Sequence, residues 1–297
     1  MQNITTRERL ITLLVRISGY SSILFVALIL IFLLREGLPA IGVTSLQSLF
    51  GARWYPIEAM YGIWPLLAGS LIVTIGAMLI SLPLGIGTAV FIAEVAPPWV
   101  NNLLKPLIEI LAGLPSVVLG FLGIQILAPY LRRLLDLPTG LTAFTGAILL
   151  AMISIPTIVS IAEDAFNTVP ASYRQAALAL GATRWQTIWG VTLPAARSGV
   201  LTAVMLGVGR AIGETMAVMM VTGNAPVLPA GLQALFLPAR TMTATIASEM
   251  GEVANGSPHY HVLFFIGIVL FLLSLAVNVA ASSVSLQGRK RAERVLS

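Results

Sequence analysis

Residues 262–284 read VLFFIGIVLFLLSLAVNVAASSV, an apolar stretch that contains no charged residue. A helix of about 20 such residues crosses the ~30 Å hydrocarbon core of a bilayer. Five further apolar stretches of comparable length lie upstream, and we predict that all six are transmembrane helices. Their approximate bounds are 17–34, 64–93, 103–128, 141–162, 198–222 and 262–284.

The composition of the whole chain agrees with membrane insertion. Of its 297 residues, 57% are hydrophobic and only 10% are charged, whereas soluble domains carry about 25% charged residues. The sequence therefore predicts an all-α integral membrane protein and excludes a soluble globule and a disordered chain. We attribute the net charge of +5 to membrane topology and predict no nucleic-acid partner. The lack of cysteine excludes a disulfide framework and thiolate metal sites, and we predict no metal site or cofactor in this chain.

Basic residues are distributed unevenly around the six predicted helices. If both termini face the cytoplasm, eleven of the 17 Lys and Arg residues lie on the cytoplasmic side and five lie outside. Cytoplasmic loops carry such an excess, so we predict cytoplasmic N- and C-termini. We further predict an N-terminal anchor helix and extracytoplasmic segment over 1–63, a transmembrane core over 64–284 and a cytoplasmic tail over 285–297.

The connection between the fourth and fifth predicted helices, residues 163–197, is too long for a simple hairpin. Pro170-Ala-Ser172 predicts a helix start with Ser172 as the N-cap. Helix formers follow over 173–180, and Gly181 predicts the helix end. A second short helix is predicted over 182–189.

The spacing in this loop leaves two interpretations open. In one, the two short helices insert the small and apolar side chains of Ala176, Ala177 and Leu180 into a groove of a partner. In the other, the helices rest on lipid through Trp185 and Trp189.

The same loop carries a spaced motif: Gln175-Ala176-Ala177, three residues, Gly181, nine residues, Val191, Thr192 and Leu193-Pro194. It resembles the signature Glu-Ala-Ala, three residues, Gly, nine residues, Ile, one residue, Leu-Pro of bacterial ABC importer permeases. The resemblance implies the type I importer permease fold and a coupling element, Tyr173–Trp189, seated in a cleft of an ATP-hydrolysing subunit. The ATPase-coupling residues that it implies are Tyr173, Gln175, Ala176, Ala177, Leu180, Gly181, Leu193 and Pro194.

This chain has no nucleotide-binding loop of its own. The pattern Gly-x-x-x-x-Gly-Lys-Ser/Thr, which cradles nucleotide phosphates, does not occur in the sequence. We therefore predict a transport subunit rather than an enzyme. The energy must come from another polypeptide, with ATP and Mg²⁺ bound on a partner ATPase, or from an ion gradient.

Two charges lie within the fifth predicted helix. Arg210 and Glu214 are four residues apart, so a continuous helix would place them on one face, together with small residues at helical spacing such as Gly207. A charge at mid-membrane costs at least ~2.5–3.5 kcal/mol, so this face is expected to meet protein or water.

Two interpretations of this face remain. One is a structural Arg–Glu pair that fixes helix register. The other is an anion path, because a guanidinium matches a tetrahedral oxyanion. A carboxylate accepts a hydrogen bond only from a protonated ligand, so Glu214 is compatible with phosphate and repels sulfate. The predicted path residues are Arg210, Glu214, Gly207, Gly213 and Thr215.

Three further stretches, GRAIGETMAV at 209–218, AGLPSVV at 112–118 and TMTATIASEM at 241–250, resemble motifs of the PstC-type permeases of high-affinity phosphate importers. The resemblance implies a multi-pass protein of the bacterial inner membrane that carries phosphate. Its implied partners are a second permease (PstA type), two ATPase subunits (PstB type), a phosphate-binding protein (PstS type) and membrane lipid. Two alternatives stay open: a permease for molybdate, sulfate or phosphonate, and a proton-coupled secondary transporter in which Glu214 carries the proton.

Overall fold

The computed structural model describes residues 6–228 and 231–296, with side chains described over 11–228, at 231 and over 233–280. Within these residues the helices are α1 (Thr6–Gly37), α2 (Pro39–Val43), α3 (Leu46–Leu49), α4 (Trp64–Val90), α5 (Pro98–Gly113), α6 (Ser116–Leu122), α7 (Ala128–Leu134), α8 (Ala143–Asn167), α9 (Ala171–Ala179), α10 (Arg184–Thr187), α11 (Leu193–Gly213), α12 (Met216–Val221), α13 (Met242–Glu249) and α14 (Pro258–Leu296).

Shorter elements connect these helices. An antiparallel hairpin pairs β1 (Trp54–Tyr55) with β2 (Met60–Tyr61). The π-helical turns are Phe91–Val95 after α4, Gly123–Leu127 between α6 and α7, and Ile188–Thr192 between α10 and α11, and the 3₁₀ turns are Pro56–Glu58 and Leu232–Phe236. The all-α prediction is confirmed, since each strand of the hairpin has only two residues.

Six helical segments of the described chain are long and apolar enough to cross a membrane, which confirms the predicted number. They are Ile11–Val43, Trp64–Val95, Ser116–Leu134, Ala143–Asn167, Arg184–Gly213 and Pro258–Ala280. The side chains of the predicted tail over 285–297 lie outside the described residues, and the division into three parts stays a prediction.

The third spanning segment begins later than predicted. The sequence suggested one helix over 103–128, but α5 ends at Gly113, and Leu114 and Pro115 are extended, with ψ angles of 134° and 132°. Proline disfavours a helical conformation in the residue before it, and its ring ends the helix. The span is therefore Ser116–Leu134, and α5 is a separate helix.

The fifth predicted span, 198–222, is also not one helix. The α11 helix ends at Gly213, Glu214 is extended (φ −68°, ψ 129°), and α12 begins at Met216. The membrane-length segment extends upstream instead, to Arg184, because the π-helical turn joins α10 to α11 without a break.

The centre of the molecule is α8, which packs between α4 and α11. Glycines make this packing close. A β-carbon at Gly85 of α4 or at Gly207 of α11 would collide with the side chain of Ile158, and one at Gly199 would collide with Ala165. Small residues of this kind let helix backbones approach in a membrane, so α4, α8 and α11 form one tightly packed unit.

The first helix lies at the periphery of this unit. Side chains along most of α1 are exposed, and only its C-terminal end packs on α14. There the rings of Phe32 and Phe264 are 5.5 Å apart, and Nδ1 of His261 lies 2.7 Å from the carbonyl oxygen of Glu36. The remaining surface of α1 is available to lipid.

Candidate translocation and coupling site

The break between α11 and α12 is stabilised by hydrogen bonds. The backbone N–H groups of Thr215 and Ala217 donate to Oε1 of Glu214 at 3.2 and 3.3 Å, so this carboxylate caps the start of α12. The hydroxyl of Thr243 donates to the carbonyl oxygen of Glu214 at 3.1 Å. Side-chain bonds to the backbone thus replace the helical bonds that are lost at the break.

This break makes the predicted geometry of Arg210 and Glu214 wrong. Spacing of four residues puts two side chains on one face only in a continuous helix, and α11 ends at Gly213. Glu214 turns back to cap α12. Arg210 is exposed and has no hydrogen bond or ion pair within the described part of the chain. The structural Arg–Glu pair is therefore not formed.

The exposed side of α11 includes two of the predicted path residues, Arg210 and Gly213. Thr202, Leu206, Arg210 and Gly213 occupy adjacent positions around the helix, and all four are exposed in the isolated chain. A guanidinium in a spanning segment faces protein or water rather than lipid, so this strip is expected to be covered by another subunit or by an aqueous path.

The remaining path residues have different environments. Thr215 is half-buried at the break, and its hydroxyl donates to the carbonyl oxygen of Gly213 at 3.2 Å. Gly207 is buried against Ile158. The structure thus places Arg210, Gly213, Glu214 and Thr215 together at the end of α11, whereas Gly207 lies in the contact between α11 and α8.

The predicted cytoplasmic loop forms two helices, with one correction at the start. The N-cap position of α9 is Pro170, not Ser172, because Pro170 has an extended ψ of 136° while its carbonyl oxygen already accepts from the N–H of Tyr173 at 3.1 Å. The predicted stop at Gly181 is confirmed. Its φ is +84°, its N–H donates to Leu178 O at 3.0 Å, and the N–H of Ala182 donates to Ala177 O at 3.1 Å. This pattern is a Schellman motif.

The second short helix starts later than predicted. Thr183 and Gln186 form a reciprocal capping box at the start of α10. The side-chain oxygen of Gln186 accepts from Thr183 N at 2.8 Å, and the hydroxyl of Thr183 accepts from Gln186 N at 3.3 Å. This arrangement satisfies two free N–H groups, and it sets the helix start at Arg184 rather than at residue 182.

One face of α9 presents apolar groups to the outside. Tyr173, Ala176 and Leu180 follow helical spacing and all are exposed, Leu180 at 90% of its surface. Of the other predicted coupling residues, Gln175, Gly181 and Pro194 are exposed, and Ala177 and Leu193 are half-buried. We call the strip of Tyr173, Ala176 and Leu180 the outer face of α9.

Arg174, one residue before the motif, was not among the residues predicted from the sequence. It turns away from the outer face of α9 and pairs with Glu94 in the turn after α4, with an N–O distance of 2.6 Å. The only local signal was an acidic residue directly after an apolar stretch, and nothing in the sequence pairs residues 80 positions apart.

A second ion pair connects α5 to α8. Nζ of Lys105 lies 2.7 Å from Oε1 of Glu163, and the amide of Asn167 donates to the same oxygen at 3.0 Å. The hydrogen bond to Glu163 raises the pKa of Lys105, so the ammonium stays charged at neutral pH.

Some charged side chains on the predicted outer side also form ion pairs, and others are exposed. Glu249 accepts from Arg240 at 2.7 Å and from Trp54 at 3.2 Å, and it lies 2.8 Å from Nε2 of His259. Arg132 and Arg133 remain exposed in an open cavity of about 480 Å³. Within the described residues no group of three or more His, Asp or Glu side chains is placed to hold a metal ion.

Comparison with known proteins assigns these features to a family. Residues 81–285 match the family model "Binding-protein-dependent transport system inner membrane component". The chain belongs to this permease family. The permease is 43% identical over 251 residues to the "Probable ABC transporter permease protein YqgH" of Bacillus subtilis (strain 168), with 83% of this chain and 80% of the relative covered.

A second relative and a solved structure extend the likeness. The permease is 34% identical over 268 residues to the "Phosphate transport system permease protein PstC" of Xylella fastidiosa (strain Temecula1), with 84% of this chain and 81% of the relative covered. In the crystal structure of a bacterial ABC transporter involved in the import of the acidic polysaccharide alginate, one chain superposes with a TM-score of 0.58 at 17% identity, covering 94% of this chain and 99% of that chain.

Together these findings confirm several predictions. The chain is a multi-pass inner-membrane permease of a bacterial ABC importer with the type I importer fold. In such systems ATP is bound and hydrolysed by a separate subunit, and a binding protein belongs to the complex. The alternative of a proton-coupled secondary transporter is wrong, because family membership assigns the energy source to an ATPase.

Proposed function

We propose that this permease forms the translocation path of an ATP-driven importer of inorganic phosphate. The observation that carries the proposal is the 34% identity to a phosphate transport permease over 84% of the chain. Its partners are then a second permease of the PstA type, two ATPase subunits of the PstB type and a phosphate-binding protein of the PstS type.

The chemistry of the exposed strip on α11 supports an anion as substrate. Arg210 presents planar N–H donors that match a tetrahedral oxyanion, and no carboxylate of the described chain pairs with it. The second permease covers the strip and leaves a path along Arg210, Gly213 and Thr215. Gly207 contributes by allowing α11 to pack closely on α8.

Glu214, at the same end of α11 as Arg210, selects among the tetrahedral oxyanions. One of its oxygens caps α12, so the carboxylate keeps its position at the break. A hydrogen-bonded contact with this carboxylate requires a ligand that carries a proton. Phosphate at neutral pH carries one and sulfate does not, which favours phosphate among the tetrahedral oxyanions.

The substrate is tested by uptake into proteoliposomes that contain the complete complex and internal ATP. We expect labelled phosphate to enter, a tenfold excess of sulfate, molybdate or phosphonate to compete weakly, and a proton-gradient collapser to have no effect at constant ATP. If sulfate, molybdate or a phosphonate enters instead and phosphate does not compete, the substrate assignment fails and the ABC importer role stands.

The outer face of α9 supports ATPase docking through residues 163–197. Its Tyr173 and Leu180 side chains are 47% and 90% exposed, and an apolar helix face of this kind fits a groove of a partner. The other predicted coupling residues border this face or hold it in place: Gln175, Ala177, Gly181, Leu193 and Pro194.

Docking is tested with a matched pair of substitutions. Leu180→Asp introduces a charge on a side chain that is 90% exposed, and Ile57→Asp does so on one that is 88% exposed and lies in the predicted extracytoplasmic segment. We expect Leu180→Asp to abolish co-purification of the ATPase and uptake together, and Ile57→Asp to retain both. ATPase binding that survives Leu180→Asp with normal uptake would falsify the docking assignment.

A further inference from the structure

Arg174 uses its guanidinium to join three parts of the chain. Its Nε–H donates to both carboxylate oxygens of Glu94, at 3.0 and 3.1 Å, and its Nη2 donates to Oε1 at 2.6 Å. Nη1 donates to the carbonyl oxygen of Val169 at 2.7 Å, and Nη2 also donates to that of Phe166 at 2.8 Å. One side chain of α9 thus binds the end of α4 and the end of α8.

Both ends of this link are protected from water. The side chain of Arg174 is 23% exposed and that of Glu94 is 8% exposed. Phe166 lies in the last turn of α8, where carbonyl groups lack helical partners and a cation is favourable. An arginine suits this place because its rigid fork binds a carboxylate through two nitrogens. Removal of Arg174 would leave the buried Glu94 carboxylate unpaired and the Val169 carbonyl without this donor, whereas the Phe166 carbonyl still accepts from the N–H of Val169 at 3.2 Å.

The rest of α9 is held loosely by comparison. It has no buried residue, and it packs mainly on its neighbours α10 and the turn Ile188–Thr192. In contrast, α4, α8 and α11 are packed through glycine contacts such as that of Gly207 with Ile158. A displacement of the outer face of α9 therefore reaches this packed unit directly through Arg174.

We propose that the Arg174–Glu94 link transmits the movement of the ATPase-docked helix α9 to the spanning helices α4 and α8, with Arg174 as a positioning residue for transport. The proposal rests on the docking role assigned to α9 above. The coupling role of Arg174 does not depend on which substrate the complex carries, because the Arg174–Glu94 link lies outside the proposed translocation path.

The first experiment compares ATP hydrolysis with substrate uptake in the assembled complex. We expect Arg174→Gln and Glu94→Gln to raise the number of ATP molecules hydrolysed per phosphate imported by about tenfold, because each change removes the ion pair between the two side chains. Arg174→Lys keeps the ion pair but not the carbonyl contacts, and an intermediate ratio is expected. Arg53→Gln, which removes an exposed charge from the predicted extracytoplasmic segment, should leave the ratio unchanged.

A merely structural role gives a different result. It would lower the yield of assembled complex in Arg174→Gln while the ratio of ATP to phosphate per complex stays at the wild-type value. That outcome overturns the proposal.

A second experiment works without any transported substrate. The chain has no cysteine, so spin labels can be attached at Ala179→Cys in α9 and at Phe91→Cys at the end of α4, both of which are exposed positions. In the complex we expect the label distance to stay constant between nucleotide-free and ATP-bound states, because α9 and the end of α4 move together. In Arg174→Gln the distance should change on ATP binding.

The two experiments separate the two proposals. A constant distance in the wild-type complex and a nucleotide-dependent one in Arg174→Gln support the link even if phosphate is not the substrate. A distance that behaves identically in both proteins overturns the link even if phosphate uptake is normal.

Discussion

Two arginines of this permease illustrate opposite ways to place a charge in a membrane protein. Arg174 makes five hydrogen bonds to oxygens of its own chain. Arg210 lies in the last turn of α11, exposed, with no partner among the described residues. Arg174 lies in the coupling element Tyr173–Trp189, and Arg210 lies in the stretch 209–218 that resembles a motif of phosphate importers.

This difference in hydrogen bonding indicates a different role for each arginine. A charge that is satisfied within the chain holds that chain together, since its removal strands the partner. A charge that stays unsatisfied in a spanning segment needs a partner from outside the chain, because lipid does not solvate it. Under the function proposed above, Arg174 holds α9 on the ends of α4 and α8, and Arg210 serves the contact of α11 with a second subunit and a ligand.

The largest effect is expected at the unsatisfied arginine. Arg210→Gln should lower phosphate uptake about 100-fold, the equivalent of about 3 kcal/mol for a lost charged hydrogen bond, with normal complex assembly. Arg210→Lys should retain part of the uptake. Arg133→Gln, an exposed arginine outside α11, serves as the control in the same uptake assay. Uptake above half of the wild-type rate in Arg210→Gln would mean that this charge does not serve transport.

The cytoplasmic region is tested by paired glycine substitutions. Gly181→Ala should destabilise the end of α9 by about 1–2 kcal/mol, because a β-carbon disfavours the left-handed conformation. Gly190→Ala, which has equal space for a β-carbon but lies in a helical turn, should be neutral or slightly stabilising. Hydrogen exchange of residues 171–182 in the complex reports both, and equal protection in the two variants contradicts the role of the Schellman motif.

The break beside Arg210 is tested at α13. Thr243→Val removes the hydroxyl that donates to the carbonyl oxygen of Glu214, and we expect a loss of about 1 kcal/mol in stability. Thr202→Val removes a hydroxyl that bonds within α11 at an exposed position, and its effect should be under about 0.5 kcal/mol. Thermal unfolding of the detergent-solubilised complex distinguishes the two, and equal midpoints argue against stabilisation of the break by Thr243.

The smallest effect is expected at Glu214. Because an amide oxygen can still cap α12, Glu214→Gln should reduce phosphate uptake only a few-fold, about 0.5–1 kcal/mol. Because both side chains are assigned to the same ligand, the double variant Arg210→Gln/Glu214→Gln should resemble Arg210→Gln alone rather than show the sum of the two effects. Recovery of uptake in the double variant would restore the interpretation of a buried Arg–Glu pair.

Much of the fold can be predicted from local signals in the sequence. Length and hydropathy alone identify six spanning segments, and Gly181 marks the end of α9 because only glycine adopts φ +84° easily. The break at Pro115 also has a local cause, although an apolar run on both sides concealed it. The length of an apolar stretch depends only on its hydrophobic residues. It therefore does not show that the backbone leaves the helix at Leu114 and Pro115.

The site was predicted less completely, for a physical reason. The break at Glu214 depends on Thr243 from another helix, and the partner of Arg174 lies 80 residues away in the chain. Such contacts arise from the packing of whole helices and leave no pattern in either segment. The family resemblance pointed to the coupling loop, and the charges within the fifth predicted helix pointed to the proposed path residues, but neither supplied their geometry.

The attachment of α1 to α14 has a consequence for biogenesis. His261 contacts Glu36 across 225 residues of sequence, so the first span to leave the ribosome waits for the last one before it reaches its final neighbour. At about 5–20 residues per second, this interval lasts about 10–45 s. During that time α1 must be stable as a single helix in the bilayer or be held by the insertion machinery, and its stretch 17–34, which contains no charged residue, suits it to that wait.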